Sequence, residues 1–175
     1  MKEENIDAMK YRKSTHLAGV DVDMMDNKIL TIKKCWYETN VDVSGNKTSG
    51  YFIEFNQPVK DMLVNSTNRA IITKVVNQIT GWPMKDCRNI GNWAGIKIEL
   101  FFNESIKMMG KVTGGIRIKE MPVVLPEMNP DNNRWDGAKK ALLAGTVTIE
   151  QIKNNYSLSP ENEALILKAD DKEEN

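Results

Sequence analysis

Between residues 66 and 81 this chain carries one strong helix signal, and on both sides of it the pattern changes to strand. Ile71, Ile72, Val75, Val76 and Ile79 fall at helical spacing, so a helix here buries a single apolar stripe. Ser66, Thr67 or Asn68 can serve as its N-cap, and Gly81 followed by Trp82-Pro83 ends it. Ahead of it, residues 28–38 (KILTIKKCWYE) are rich in branched and aromatic side chains, residues 51–55 (YFIEF) repeat that signature, and residues 61–65 (DMLVN) form a short third run. The turn-forming stretch DVSGNKTSG at 42–50 separates the first two. After the helix, Ile96, Ile98 and Leu100 alternate with Lys97 and Glu99, the period of a half-buried strand. Residues 106–119 then read as a glycine-containing hairpin and a last strand.

Three strands, one helix and two strands is the order of the OB-fold, a small Greek-key barrel in which the helix between strands three and four plugs one end. The expected architecture is therefore mainly β with α: a five-stranded OB-like Greek-key barrel over residues 28–120, with a C-terminal helical appendage. An open α+β sheet packed on a helix produces a similar string and is the alternative. Residues 1–27 are polar without a sustained period and read as a lead-in segment. Residues 121–133 hold three prolines and paired asparagines, the composition of a linker. Residues 134–168 contain short helices: one near 134–143 ended by Gly145, one opened by a Thr148–Gln151 capping box, and one opened by Ser159 with Pro160 in the first turn. Residues 169–175 are an acidic tail.

The chain has 24 basic and 24 acidic residues, but they are unevenly spread. From Lys28 to Glu120 there are 14 basic against 8 acidic residues, net +6, and the last fifteen residues hold 6 acids against 2 lysines, net −4. A basic centre suits an anionic ligand, and an acidic end suits a solvated tail that docks partners or competes for the same face. No apolar run reaches the length of a membrane span, and residues 1–13 carry no apolar signal core. Two cysteines without a CxxC and one histidine speak for a reduced, cytoplasmic protein without a thiol–imidazole metal site.

Particular residues carry a resemblance. Leu63, Asn65, Thr67 and Asn68 open the helix, Trp93, Gly95, Ile98 and Leu100 mark the next strand, and Gly115, Ile116 and Arg117 the last. Over residues 28–119 this resembles small phage- and prophage-encoded proteins with an L-N-x-T-N, W-x-G and G-I-R-I pattern. The helical segment at 138–166 is similar to an appendage found on some of them. The chain departs from the pattern where Gly95 is followed by Ile96, with Lys97 one position later. The resemblance implies an OB-like protein that binds single-stranded DNA in phage replication or recombination.

Binding a single strand without sequence preference needs aromatic faces for bases and cations for phosphates, interleaved on one surface. Lys34, Trp36, Phe52, Arg69, Trp82, Lys85, Arg88 and Arg117 are the candidates: Trp36, Phe52 and Trp82 for stacking, the rest for phosphates. Phe52 alternates with Tyr51, Ile53 and Phe55 and is expected to face outward. Trp36 and Tyr37 face opposite ways unless a bulge intervenes. Trp93, before a glycine and a buried strand, reads as a structural wedge, and Asn65 and Asn68 flank the cap position, where amide side chains satisfy free backbone N–H groups.

Catalytic and cofactor signatures are missing. His16 stands alone in the lead-in, where it reads as solvated. Asp21, Asp23 and Asp26 lack the central glycine and terminal glutamate of a calcium loop. There is no GxxxxGK[ST] and no GxGxxG, and the acids are scattered rather than clustered for metal-dependent cleavage. The expectation is a non-enzyme without cofactor. Its partners would be single-stranded DNA, replication or recombination proteins at the acidic tail, and further copies of itself in a homo-oligomer. The competing reading is a protein-interaction or oligomerisation module of a mobile element, in which the same aromatics pack against a partner.

Overall fold

The computed structural model describes residues 14–43, 45–108 and 110–168; the acidic tail lies outside them. The elements run α1 (Gly19–Asp23), β1 (Ile29–Val43), β2 (Asn46–Phe55), β3 (Met62–Val64), α2 (Ser66–Thr80), α3 (Met84–Cys87), a 3-10 turn (Ile90–Trp93), β4 (Lys97–Asn103), β5 (Lys107–Met108), β6 (Lys111–Val112) and β7 (Gly115–Ile118). Then come α4 (Trp135–Leu143), α5 (Ile149–Asn155) and α6 (Pro160–Leu167). Two compact units result, one ending at Val123 and the other beginning at Val124.

The first unit is a five-stranded antiparallel sheet in the order β3-β2-β1-β4-β7, with β5 and β6 paired apart from it as a small hairpin. The expected closed barrel is not formed: the sheet is open, with β3 and β7 as its edges. The reason is local. β3 is three residues long, and one residue, Asn65, separates it from α2. The chain turns into a helix where a longer strand would be needed to reach β7. The first turn of α2 takes up the β7 edge instead, with Asn68 Nδ2 donating to the Ile116 carbonyl at 3.0 Å.

Asn65, not Ser66, Thr67 or Asn68, is the N-cap of α2. Its backbone is extended and its side-chain oxygen accepts from the Asn68 N–H at 2.9 Å. Gly81 ends the helix in the left-handed region, φ 67°, where a residue without Cβ fits best. Ile71, Ile72, Val75 and Val76 are buried against Leu30, Ile32, Ile53, Phe55, Met62, Val64, Ile98, Leu100 and Ile118. Each such side chain contributes about 1.5–3 kcal/mol by leaving water. Ile79, the last residue of the sequence stripe, is instead 49% exposed. Leu17 and Val22, from ahead of β1, belong to the same core.

β1 and β2 form a ribbon longer than the sequence suggests. Pairing continues from Ile32–Phe55 out to Val43–Asn46, so most of the stretch read as a turn is strand. β4 pairs with β1 only at Ile29, Leu30 and Thr31, and β3 pairs with β2 only at Tyr51, Phe52 and Ile53. The second unit buries Met128, Trp135, Ile152 and Ile166. Its helices begin where their caps are legible: Thr148 and Gln151 close a reciprocal capping box, and Ser159 caps α6 with Pro160 at its start. Ser157 N–H donates to the Pro126 carbonyl and Met128 N–H to that of Ser157, so residues 126–128 of the proline-containing stretch join this unit.

Candidate functional site

Along the ribbon, Lys34 to Glu38 pair with Glu54 to Gly50 without a bulge, so Trp36 and Tyr37 point to opposite faces. On Trp36's face its ring stacks on Phe52, centroids 5.9 Å apart and planes inclined by 26°. Lys34 Nζ lies 5.1 Å over the same indole and 2.7 Å from Glu54 Oε2, while Lys33 reaches the other Glu54 oxygen at 2.5 Å. The Lys33 and Lys34 hydrogen bonds hold the Glu54 carboxyl below its ordinary range, and the bond that Lys34 donates to Glu54 raises the Lys34 ammonium. The Trp36 indole N–H donates to Glu38 Oε2 at 2.8 Å.

Phe52 is not the outward platform expected of it. It does face away from Ile53 and Phe55, but it is 1% exposed, covered by Trp36 and by the His16 ring at 5.2 Å. The segment before β1 folds back along the sheet, tied by the Leu17 N–H to the Asp61 carbonyl at 2.8 Å. His16 is therefore a half-buried packing residue rather than a solvated one.

The opposite face of the ribbon builds a different arrangement. Tyr37 and Tyr51 meet edge to face with centroids 5.1 Å apart, and Tyr37 is 55% exposed. The Arg69 guanidinium carbon lies 4.4 Å from the Tyr51 ring centroid, a cation–π contact. Tyr51, Arg69, Thr73, Arg88, Ile90 and Trp93 line a groove of about 250 Å³. Arg69 Nε is buried without an acceptor, and Arg88 Nε donates to the Met84 carbonyl at 3.3 Å. Among the described residues neither arginine is paired with a carboxylate.

The order of elements explains this convergence. Val64 pairs with Tyr51, and α2 starts two residues later, so its first turn, ending in Arg69, begins beside Tyr51. The chain returns from the far end of α2 through α3 and the 3-10 turn. That return is locked by the Trp93 indole N–H to the Cys87 carbonyl at 2.8 Å and by Gly95 and Ile96 bonding to Ile32 on β1. Trp93 is buried, the structural wedge that its position suggested.

The remaining candidates stand elsewhere. Trp82 is 43% exposed and Lys85 is exposed, but they follow the C-terminus of α2. Arg69 and Thr80 are eleven residues apart, about 16 Å along that helix at 1.5 Å per residue. Arg117, opposite Phe101 in the β4–β7 register, donates to the Ile116 carbonyl at 3.0 Å and lines a second groove with Thr67, Phe101, Asn103 and Lys119. Lys119 there is bound to Glu99 at 2.6 Å. The candidates therefore divide: Lys34, Trp36 and Phe52 on one ribbon face, Arg69 and Arg88 in the groove, Trp82 and Lys85 beyond α2, and Arg117 on β7.

Tyr51 is the residue that sequence reasoning missed. It shares the core-facing side with Ile53 and Phe55, as alternation requires, yet it sits at the rim where the helix begins. The signal for it was the single residue between β3 and α2. Among the described residues no group of three or more His, Cys, Asp or Glu could hold a metal ion, and no helix is long and apolar enough to cross a membrane. Compared with protein-family models, with curated proteins and with solved structures, the chain matches none of them.

Proposed function

We propose that this protein binds single-stranded DNA and performs no chemistry on it. The observation that carries the proposal is the groove at the start of α2, where Arg69 and Arg88, without carboxylate partners, stand beside the Tyr37–Tyr51 pair. Cations for phosphates next to rings for bases are what such binding requires. Arginine, planar and always charged, suits phosphate better than lysine. By contrast, Lys34 and Trp36 are engaged by Glu54 and Glu38, which weakens their claim to a ligand. The strand order supports an OB-type reading as well: β4-β1-β2-β3 is the sequence of a Greek key, with β7 added beside β4. A role in phage replication or recombination, implied by the resemblance, belongs to the same proposal.

Fluorescence anisotropy of a labelled oligo-dT, with a matched duplex, tests it at low and physiological salt. Binding that prefers the single strand and weakens steeply with salt is the expected result. No binding even at low salt would overturn the proposal and turn attention to a protein partner.

A further inference from the structure

The Arg69–Arg88 groove has the dimensions and charge of a site for one phosphate group rather than for a run of nucleotides. At about 250 Å³ it falls below the roughly 300–1,000 Å³ of pockets that enclose whole small molecules. Trp93 and Ile90 give it an apolar part of its lining, and Thr73 is already committed, its hydroxyl donating to the Arg69 carbonyl at 2.9 Å. Two guanidiniums bring two positive charges, and no acidic side chain is among the lining residues. An internal phosphodiester carries one negative charge, whereas a phosphate monoester carries about 1.5–2 at neutral pH and presents three terminal oxygens. Arg69 is held in place by its stack on Tyr51 rather than by a bond from Nε, which is buried and unspent. A buried donor without an acceptor is rare enough to need an explanation. Guanidinium donors are also what gives arginine–phosphate recognition its strength, and Arg88, whose Nε is taken by the Met84 carbonyl, keeps its terminal nitrogens.

From this we infer that the groove binds a terminal phosphate monoester, so that the protein recognises a phosphorylated end of a single strand in preference to its interior. The inference rests on the single-strand proposal above and deepens it. The exposed Tyr37, in contact with Tyr51, then serves the base next to that phosphate.

The test compares oligo-dT carrying a 5′-phosphate, a 3′-phosphate or two hydroxyl ends, in direct binding to the full chain at physiological salt. Tighter binding of one phosphorylated oligonucleotide, fivefold or more, is expected, and the arm that gains identifies the end. That gain should disappear in Arg88→Lys, which keeps the charge but not the fork; Arg88 is exposed, so the fold is spared. Equal binding of all three oligonucleotides would overturn the inference while leaving single-strand binding intact. If none binds, inorganic phosphate decides, followed at the Arg69 Nε–H resonance, whose burial slows proton exchange. A saturable shift that Arg88→Lys removes supports the phosphate site, and no shift beyond that of chloride at equal ionic strength overturns it.

Discussion

The Phe102 ring is lodged against two backbone positions that have no side chain. A Cβ at Gly19 would stand 2.3 Å from the ring, and one at Gly114, where φ is +63°, would stand 2.5 Å from it. Gly19→Ala should therefore destabilise the first unit by about 1–3 kcal/mol through overpacking. Gly114→Ala should cost more, because the left-handed backbone adds roughly 1–2 kcal/mol for a residue with a Cβ. Urea unfolding checks both, and pairing Gly19→Ala with Phe102→Leu should recover part of the loss, since the two residues are in contact. At Cys35, burial pushes the thiol up to about 11. The sign follows from linkage: a thiol whose folded value is raised contributes stability below its unfolded value, lost as pH rises toward 11. Alkylation of Cys35 at pH 8 should be slow in the native protein and fast in urea.

The clasp between α2 and β7 depends on two asparagines with different duties, and substitution should separate them. Asn65→Ala removes a cap and should cost about 1 kcal/mol. Asn68→Ala removes the side chain that bonds the Ile116 carbonyl and should cost about 1–3 kcal/mol. Amide exchange across Gly115–Ile118 should quicken in the second variant far more than in the first. Much at this scale was legible in the sequence, for physical reasons. The α2 stripe, its Gly81 stop and the caps at Thr148 and Ser159 are set by neighbours within four residues, which sequence displays directly. Closure of the sheet was not legible, because it turns on whether β3 reaches β7 after the fifty residues, 65–114, that intervene. The ribbon was missed for another reason: pairing runs out to Val43 and Asn46, with Gly45 at φ 86°, so the polar residues read as a turn pair as strand. Arg69 and Arg88 could be singled out as cations, but their meeting at Tyr51 follows from a helix start and a return loop that no local pattern encodes.

At the scale of the whole molecule, each unit has its own core. The second is small enough that Trp135, buried against Met128, Ile152 and Ile166, holds much of it. Trp135→Ala should cost about 3–5 kcal/mol and melt that unit, collapsing the amide resonances of 124–168 while those of 14–123 stay dispersed. The proposed single-strand binding, assigned to residues of the first unit, should persist. If Arg69 and Arg88 meet phosphate as proposed, the salt dependence of oligo-dT affinity registers it. Each phosphate contact on a single strand contributes a slope of about −0.7 in log K against log salt. The Arg69→Ala/Arg88→Ala double variant should flatten the wild-type slope by roughly that amount or more, while Trp82→Ala leaves the slope as it was. A double variant with the slope and affinity of the wild type would contradict the account.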